Sequence, residues 1–104
     1  MKKKKEKKLY FSWDERKNAI NFMKHGVLFE DAIMVFSDSM RLETFDWNHS
    51  TAEDRWKIIG YAGLTMLVVI STEQDGAIRL ISARKADKKE IEEYFYGYST
   101  FYIN

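Results

Sequence analysis

The chain has 104 residues, 45% apolar and 15% aromatic, which suffices for one core and is too little for two. It contains no Cys and no Pro, so disulfides, thiolate metal sites and thiol catalysis are excluded. The net charge is +1, but residues 1–8 hold six Lys and one Glu, so the rest of the chain carries about −4.

No apolar run reaches the length of a membrane span. The basic start is not followed by the apolar stretch of a secretory signal. A cytoplasmic protein without membrane association is therefore expected. Residues 1–8 are expected to be a disordered basic tail, and residues 9–104 a single domain.

Leu9-Tyr10-Phe11 is a short strand candidate. Ser12 and Glu15 have capping-box spacing, which predicts a helix running to Lys24 with Trp13, Ile20 and Met23 near its inner face. Gly26 is its stop, since Gly takes the left-handed exit conformation cheaply. A second helix is predicted from Phe29 to Phe36, burying Phe29, Ala32, Ile33 and Phe36. Strands follow over Arg41 to Phe45, Arg55 to Tyr61, Thr65 to Thr72 and Ile78 to Ala83, with a polar loop over residues 46–54. Asp75-Gly76 signals a two-residue type I′ hairpin, and Ala62-Gly63 a second hairpin. Asp87 with Glu90 opens a last helix, with Ile91, Tyr94, Phe95 and Tyr98 at helical spacing. The aromatic residues from Tyr94 to Tyr102 suit packing or a partner surface. The fold class is α+β: an antiparallel sheet, two N-terminal helices on one face, and a C-terminal helix.

Those turns set a register. The first places Thr72 opposite Arg79 and Ile70 opposite Ile81; the second places Lys57 opposite Val68. Alternation then gives one core face with Trp56, Ile58, Leu67, Val69, Ile78 and Leu80. The other face mixes Arg55, Lys57 and Arg79 with Val68, Ile70 and Ile81, and Arg84 falls on the core side. Cations from two strands thus converge on one side of the sheet.

The stretch FSWDERKNAINFMKHGVLFEDAIMVF resembles the start of the BrnT toxins of bacterial type II toxin–antitoxin systems. EDRWKIIG, LVVISTEQDG and RLISARKADKKEIEEY continue the resemblance in order, covering Phe11 to Tyr94. The resemblance implies a RelE-like fold with RNA on the open sheet face, and an endoribonuclease that inhibits translation by cutting RNA. It implies a ribbon–helix–helix antitoxin of the BrnA type as partner. DNA would be reached only through that antitoxin, in a complex repressing its own promoter. A homodimer and a heterotetramer with the antitoxin are the assemblies it leaves open. RelE-like toxins are usually strongly basic, and this chain beyond residue 8 is not.

Metal-independent RNA cleavage needs no cofactor. The 2′-hydroxyl must lose a proton, the leaving oxygen must gain one, and charge on phosphorus must be stabilised. Arg suits the last role, because its planar fork matches phosphate. Arg55 and Arg79 are candidates from their shared face, and Arg84 from the S-A-R match. Each is otherwise a surface strand residue in a cross-strand pair. Lys24 and His25, in K-H-G, are candidate phosphate or proton-transfer groups by resemblance; a helix C-terminus favours both regardless. Glu73, beside the hairpin turn, is a candidate base. His49 sits in the polar loop with Asp46 and Asn48, but two His in the chain make a metal site unexpected. Trp47 is the one Trp placed to meet RNA or a partner. The competing reading is a non-catalytic protein-binding module, the co-repressor half of a DNA-binding complex.

Overall fold

The computed structural model describes residues 8–103, with side chains described for residues 8–97. The expected basic tail, apart from Lys8, and the side chains of Tyr98, Phe101 and Tyr102 lie outside the described residues. In chain order the elements are β1 (Phe11–Ser12), α1 (Glu15–His25), α2 (Phe29–Ala32) running into a 3₁₀ turn (Ile33–Ser37), β2 (Leu42–Phe45), β3 (Trp56–Ala62), β4 (Thr65–Gln74), β5 (Ala77–Lys85) and α3 (Lys88–Ile103). The strands form one sheet in the order β1-β5-β4-β3-β2. The fold is α+β as expected. The sheet is mixed rather than wholly antiparallel, because β1 pairs parallel with β5 through Phe11 opposite Ile78 and Ser12 opposite Arg79.

Ser12 is consumed in that pairing, so the N-cap of α1 is Asp14, whose Oδ1 accepts from the Arg16 N–H at 2.8 Å and the Lys17 N–H at 3.3 Å. The inner face of α1 also differs from the expected apolar stripe. Ile20, Phe22 and Met23 are exposed, and the buried residues are Asn18 and Asn21. The reason is that α1 lies along the edge of β5 beyond β1, where backbone groups need partners. The Asn21 amide acts as a substitute peptide unit: its Nδ2 donates to Ala83 O at 2.8 Å, and its Oδ1 accepts from Ala83 N–H at 3.0 Å. Nδ2 also donates to Val27 O at 2.9 Å. Asn18 Oδ1 accepts the Phe29 N–H at 2.9 Å and so caps α2, whose own N-cap Leu28 has no side chain for the task. Gly26, at φ 69°, closes α1 as expected.

One sheet face buries Ile58, Leu67, Val69 and Leu80 against Val27, Phe29, Ala32, Val35 and Phe36. This is the expected core face, with Trp56 left partly exposed at its margin. The other face is half covered by α3, through Tyr94 on Ile59, Met66 and Val68. Asp38 fixes that helix. Its carboxylate accepts from the Tyr61 N–H (2.9 Å), the Tyr94 hydroxyl (2.7 Å) and the Met40 N–H (2.9 Å). Burial raises the Asp38 pKa, but these bonds and the Arg41 charge outweigh it, so the net shift is downward. Burial, and then the Asp38 carboxylate, push the Tyr94 phenol up to about 12.

Asp75 (φ 53°) and Gly76 (φ 77°) make the expected type I′ turn. The other turn is Gly63-Leu64, not Ala62-Gly63, so Lys57 faces Ile70 rather than Val68. A slip of two residues keeps every side chain on its face. The β4–β5 pairing follows the expected register from Gln74–Ala77 to Ser71–Leu80, and then breaks. A bulge inserts Ile81, and Ile70 faces Ser82 instead.

Candidate functional site

That single extra residue decides the site. Beyond it the alternation of β5 inverts, so Arg84 faces Val68 and joins Lys57 on the open face. The core-side placement expected for Arg84 is thereby corrected. Between β3, β5 and the 46–55 loop lies a cavity of about 390 Å³ whose polar lining includes Asp46, His49, Arg55, Lys57, Ser82 and Arg84. Ile70 and Phe45 supply part of its apolar wall.

The loop is closed at its base. Asp46 N–H donates to Arg55 O at 2.8 Å, and the Ser50 hydroxyl donates to Asp46 O at 2.6 Å while accepting the Arg55 N–H at 2.9 Å. The Thr72 hydroxyl, donating to Asp54 O, ties the returning limb to β4. Asp46, His49 and Arg55 are thus held by backbone bonds rather than left on a free loop.

Within it, His49 Nδ1 lies 3.0 and 3.1 Å from the two carboxylate oxygens of Asp46. A carboxylate at Nδ1 favours the tautomer with its proton there, which leaves the lone pair on Nε2. Arg55 has a buried Nε with no hydrogen-bond partner among the described residues, and its NH2 is 3.6 Å from Glu53 Oε1. That pair is exposed enough to count for little.

Arg84 and Lys57 share one anion. Glu90, at the start of α3, receives the Arg84 fork at 2.6 and 2.8 Å and Lys57 Nζ at 2.8 Å. It also accepts the Asp87 N–H at 3.0 Å and returns its own N–H to Asp87 Oδ1 at 2.8 Å, a reciprocal capping box. The Arg84 hydrogen bonds, against the opposing effect of burial, hold the Glu90 carboxyl far below the usual carboxylate range. The same bonds raise the Arg84 pKa further.

The structure therefore gathers Arg55 and Arg84 in one cavity. Arg79 lies on the same face, opposite Thr72, and makes no ion pair among the described residues. Glu73 points to the other face, beside Trp56 and Ser71. Lys24 and His25 are exposed in the last turn of α1, whose following residues Val27 and Phe29 pack on the opposite side of the sheet from the cavity. Two groups that line the cavity, Lys57 and His49, and the Glu90 carboxylate behind it are not singled out as site residues by the sequence. The sequence puts Lys57 only on the mixed face, offers His49 only as a metal ligand, and marks Glu90 only as a helix start. The three-residue spacing of Asp46 and His49 was the one available signal for that pair. Among the described residues no cluster of His, Asp and Glu could hold a metal ion, and no helix is long and apolar enough to cross a membrane.

A family model described as a ribonuclease toxin, BrnT, of a type II toxin–antitoxin system matches residues 13–90. The chain belongs to the BrnT toxin family. No curated protein matches it. The matched span contains every polar cavity residue named above and closes on Glu90. Membership in the BrnT family brings, at the level of the family, an RNA target, ribonuclease activity and an antitoxin partner.

Proposed function

We propose that the cavity between β3, β5 and the 46–55 loop is where this BrnT-family toxin cuts RNA, without a metal ion. The observation that carries the reading is the convergence of Arg55, Lys57 and Arg84 with the Asp46–His49 pair on the sheet face left open by α1 and α2. His49 Nε2 takes the proton of the ribose 2′-hydroxyl, whose oxygen forms a bond to phosphorus. Arg55 and Arg84 carry the charge that builds on the phosphoryl oxygens. The bond to the 5′ oxygen breaks, and the Lys57 ammonium is the proton donor proposed for it. The products are a 2′,3′-cyclic phosphate and a 5′-hydroxyl. Arg79 flanks the site and suits a contact to a neighbouring phosphate. Lys24, His25 and Glu73 stand outside this proposal.

Translation inhibition in the cytoplasm and neutralisation by a BrnA-type ribbon–helix–helix antitoxin complete the reading, supported by family membership. The test is cleavage of a structured RNA by the purified chain in excess chelator. Arg84→Ala should slow the reaction by about 10² to 10³, and His49→Ala by at least about 10². Folded protein that cuts nothing, or variants that cut like the parent, would refute it.

A second reading, a non-catalytic partner-binding module, draws on an apolar groove of about 670 Å³ between β2 and α3, with Leu42 and Gly97 in its walls. On that reading the folded chain would cut no RNA, and changes at Leu42 would weaken the partner complex while Arg84→Ala left it intact.

A further inference from the structure

We infer that Glu90 is a positioning residue, fixing Arg84 and Lys57 at the open sheet face so that turnover gains what ground-state RNA affinity loses. The inference rests on the reading of this cavity as the cleavage site. Glu90 is 3% exposed, yet it carries a full charge on a helix whose capping box needs only one of its oxygens. A Gln could serve that cap. Three further contacts go to Arg84 and Lys57, which line the cavity while Glu90 stands behind them.

The bonds leave donors over. Arg84 uses NH1 on Lys85 O and Glu90, and one N–H of NH2 on Glu90, so its Nε–H and the second NH2 proton have no partner among the described residues. Among the described residues the Lys57 ammonium meets only Glu90, which leaves two of its three N–H donors for a ligand. A bidentate carboxylate also fixes the plane of the guanidinium, which a phosphate alone could not do before binding. The cost is electrostatic. Two cations and one anion leave a local charge of +1 where two free cations would present +2.

Glu90→Gln should lower kcat about tenfold or more, while RNA binds more tightly and KM falls. With a 2′-O-methyl RNA that cannot be cut, its binding should depend more steeply on salt, by about 0.7 in the log–log slope for each phosphate gained. A purely structural loss would lower kcat and weaken binding together. Arg84→Lys, which keeps the charge and gives up the fork, should lower kcat with the salt slope unchanged. If Glu90→Gln does not fold, this second variant carries the test. A folded Glu90→Gln protein with parental kcat or parental salt slope, or Arg84→Lys with parental kcat, overturns the assignment. If the parent itself cuts no RNA, the cleavage reading fails, and the salt slopes still decide whether Glu90 restrains the two cations.

Discussion

Replacing Asn21 by Ala tests how the helical layer is attached to the sheet. The side chain is 6% exposed and makes three hydrogen bonds, all to backbone groups. Removing it leaves Ala83 N–H, Ala83 C=O and Val27 C=O without those partners. At about 1 kcal/mol each, the loss is roughly 3 kcal/mol, and more where water cannot enter to replace the amide. A domain of this size has about 5–15 kcal/mol in total, so the variant should remain folded but weakly so. Urea denaturation followed by tryptophan fluorescence reads the effect as a lower midpoint at unchanged slope. Thermal unfolding should begin more than about 10 °C lower. Asn21→Asp sharpens the test, because it keeps the size and the acceptor but places a carboxylate against two carbonyl oxygens. It should be at least as damaging as Ala. A loss below about 1 kcal/mol in the Ala variant, or an Asp variant near the parent, would refute the idea that Asn21 completes the edge of β5.

Two further outcomes follow from Asp38 and Glu90. Tyr94→Phe removes a hydrogen bond to a charged acceptor that keeps two backbone donors; it should cost about 1.5 kcal/mol in the same urea assay, and no loss would show the Tyr94 hydroxyl to be idle. Both carboxyls have folded pKa values below their unfolded ones, so each contributes stability that is present above the ordinary carboxylate range and is lost as pH falls through the folded values. Stability should therefore decline steadily below about pH 4, and Glu90→Gln should flatten that decline; equal slopes for parent and variant between about pH 4 and 2.5 would contradict it.

Much of the sheet was legible because its signals are local. Ile58, Leu67, Val69 and Leu80 alternate as a half-buried strand should, and Asp75-Gly76 names its own turn. Two features carried no such signal. The bulge at Ile81 occurs in a run of ordinary strand residues, without the Gly that often marks one, so the inversion that brings Arg84 to the open face was invisible. The buried face of α1 was hidden for a different reason. Hydrophobic periodicity finds side chains that seek apolar surroundings, whereas Asn18 and Asn21 are buried because backbone groups of other elements need them. The family resemblance singled out Arg84 where the register argument placed it on the wrong face.

The bulge and the Asn21 contact meet at adjacent residues. Ala83 turns its N–H and C=O outward to Asn21, and Arg84, the next residue, turns its side chain into the cavity. Glu90 holds the same guanidinium from α3. Arg84 is thus braced through its backbone neighbour by α1 and through its side chain by α3, two elements that otherwise lie on opposite faces of the sheet. This bracing explains how a body with a charge of about −4 can still present a defined cationic site. The site does not depend on a general positive field. It depends on cations whose positions are fixed, above all Arg84 and Lys57, whose anionic partner Glu90 is itself buried. A change in α1 that loosens β5 at Ala83 should then displace Arg84 as well as lower stability.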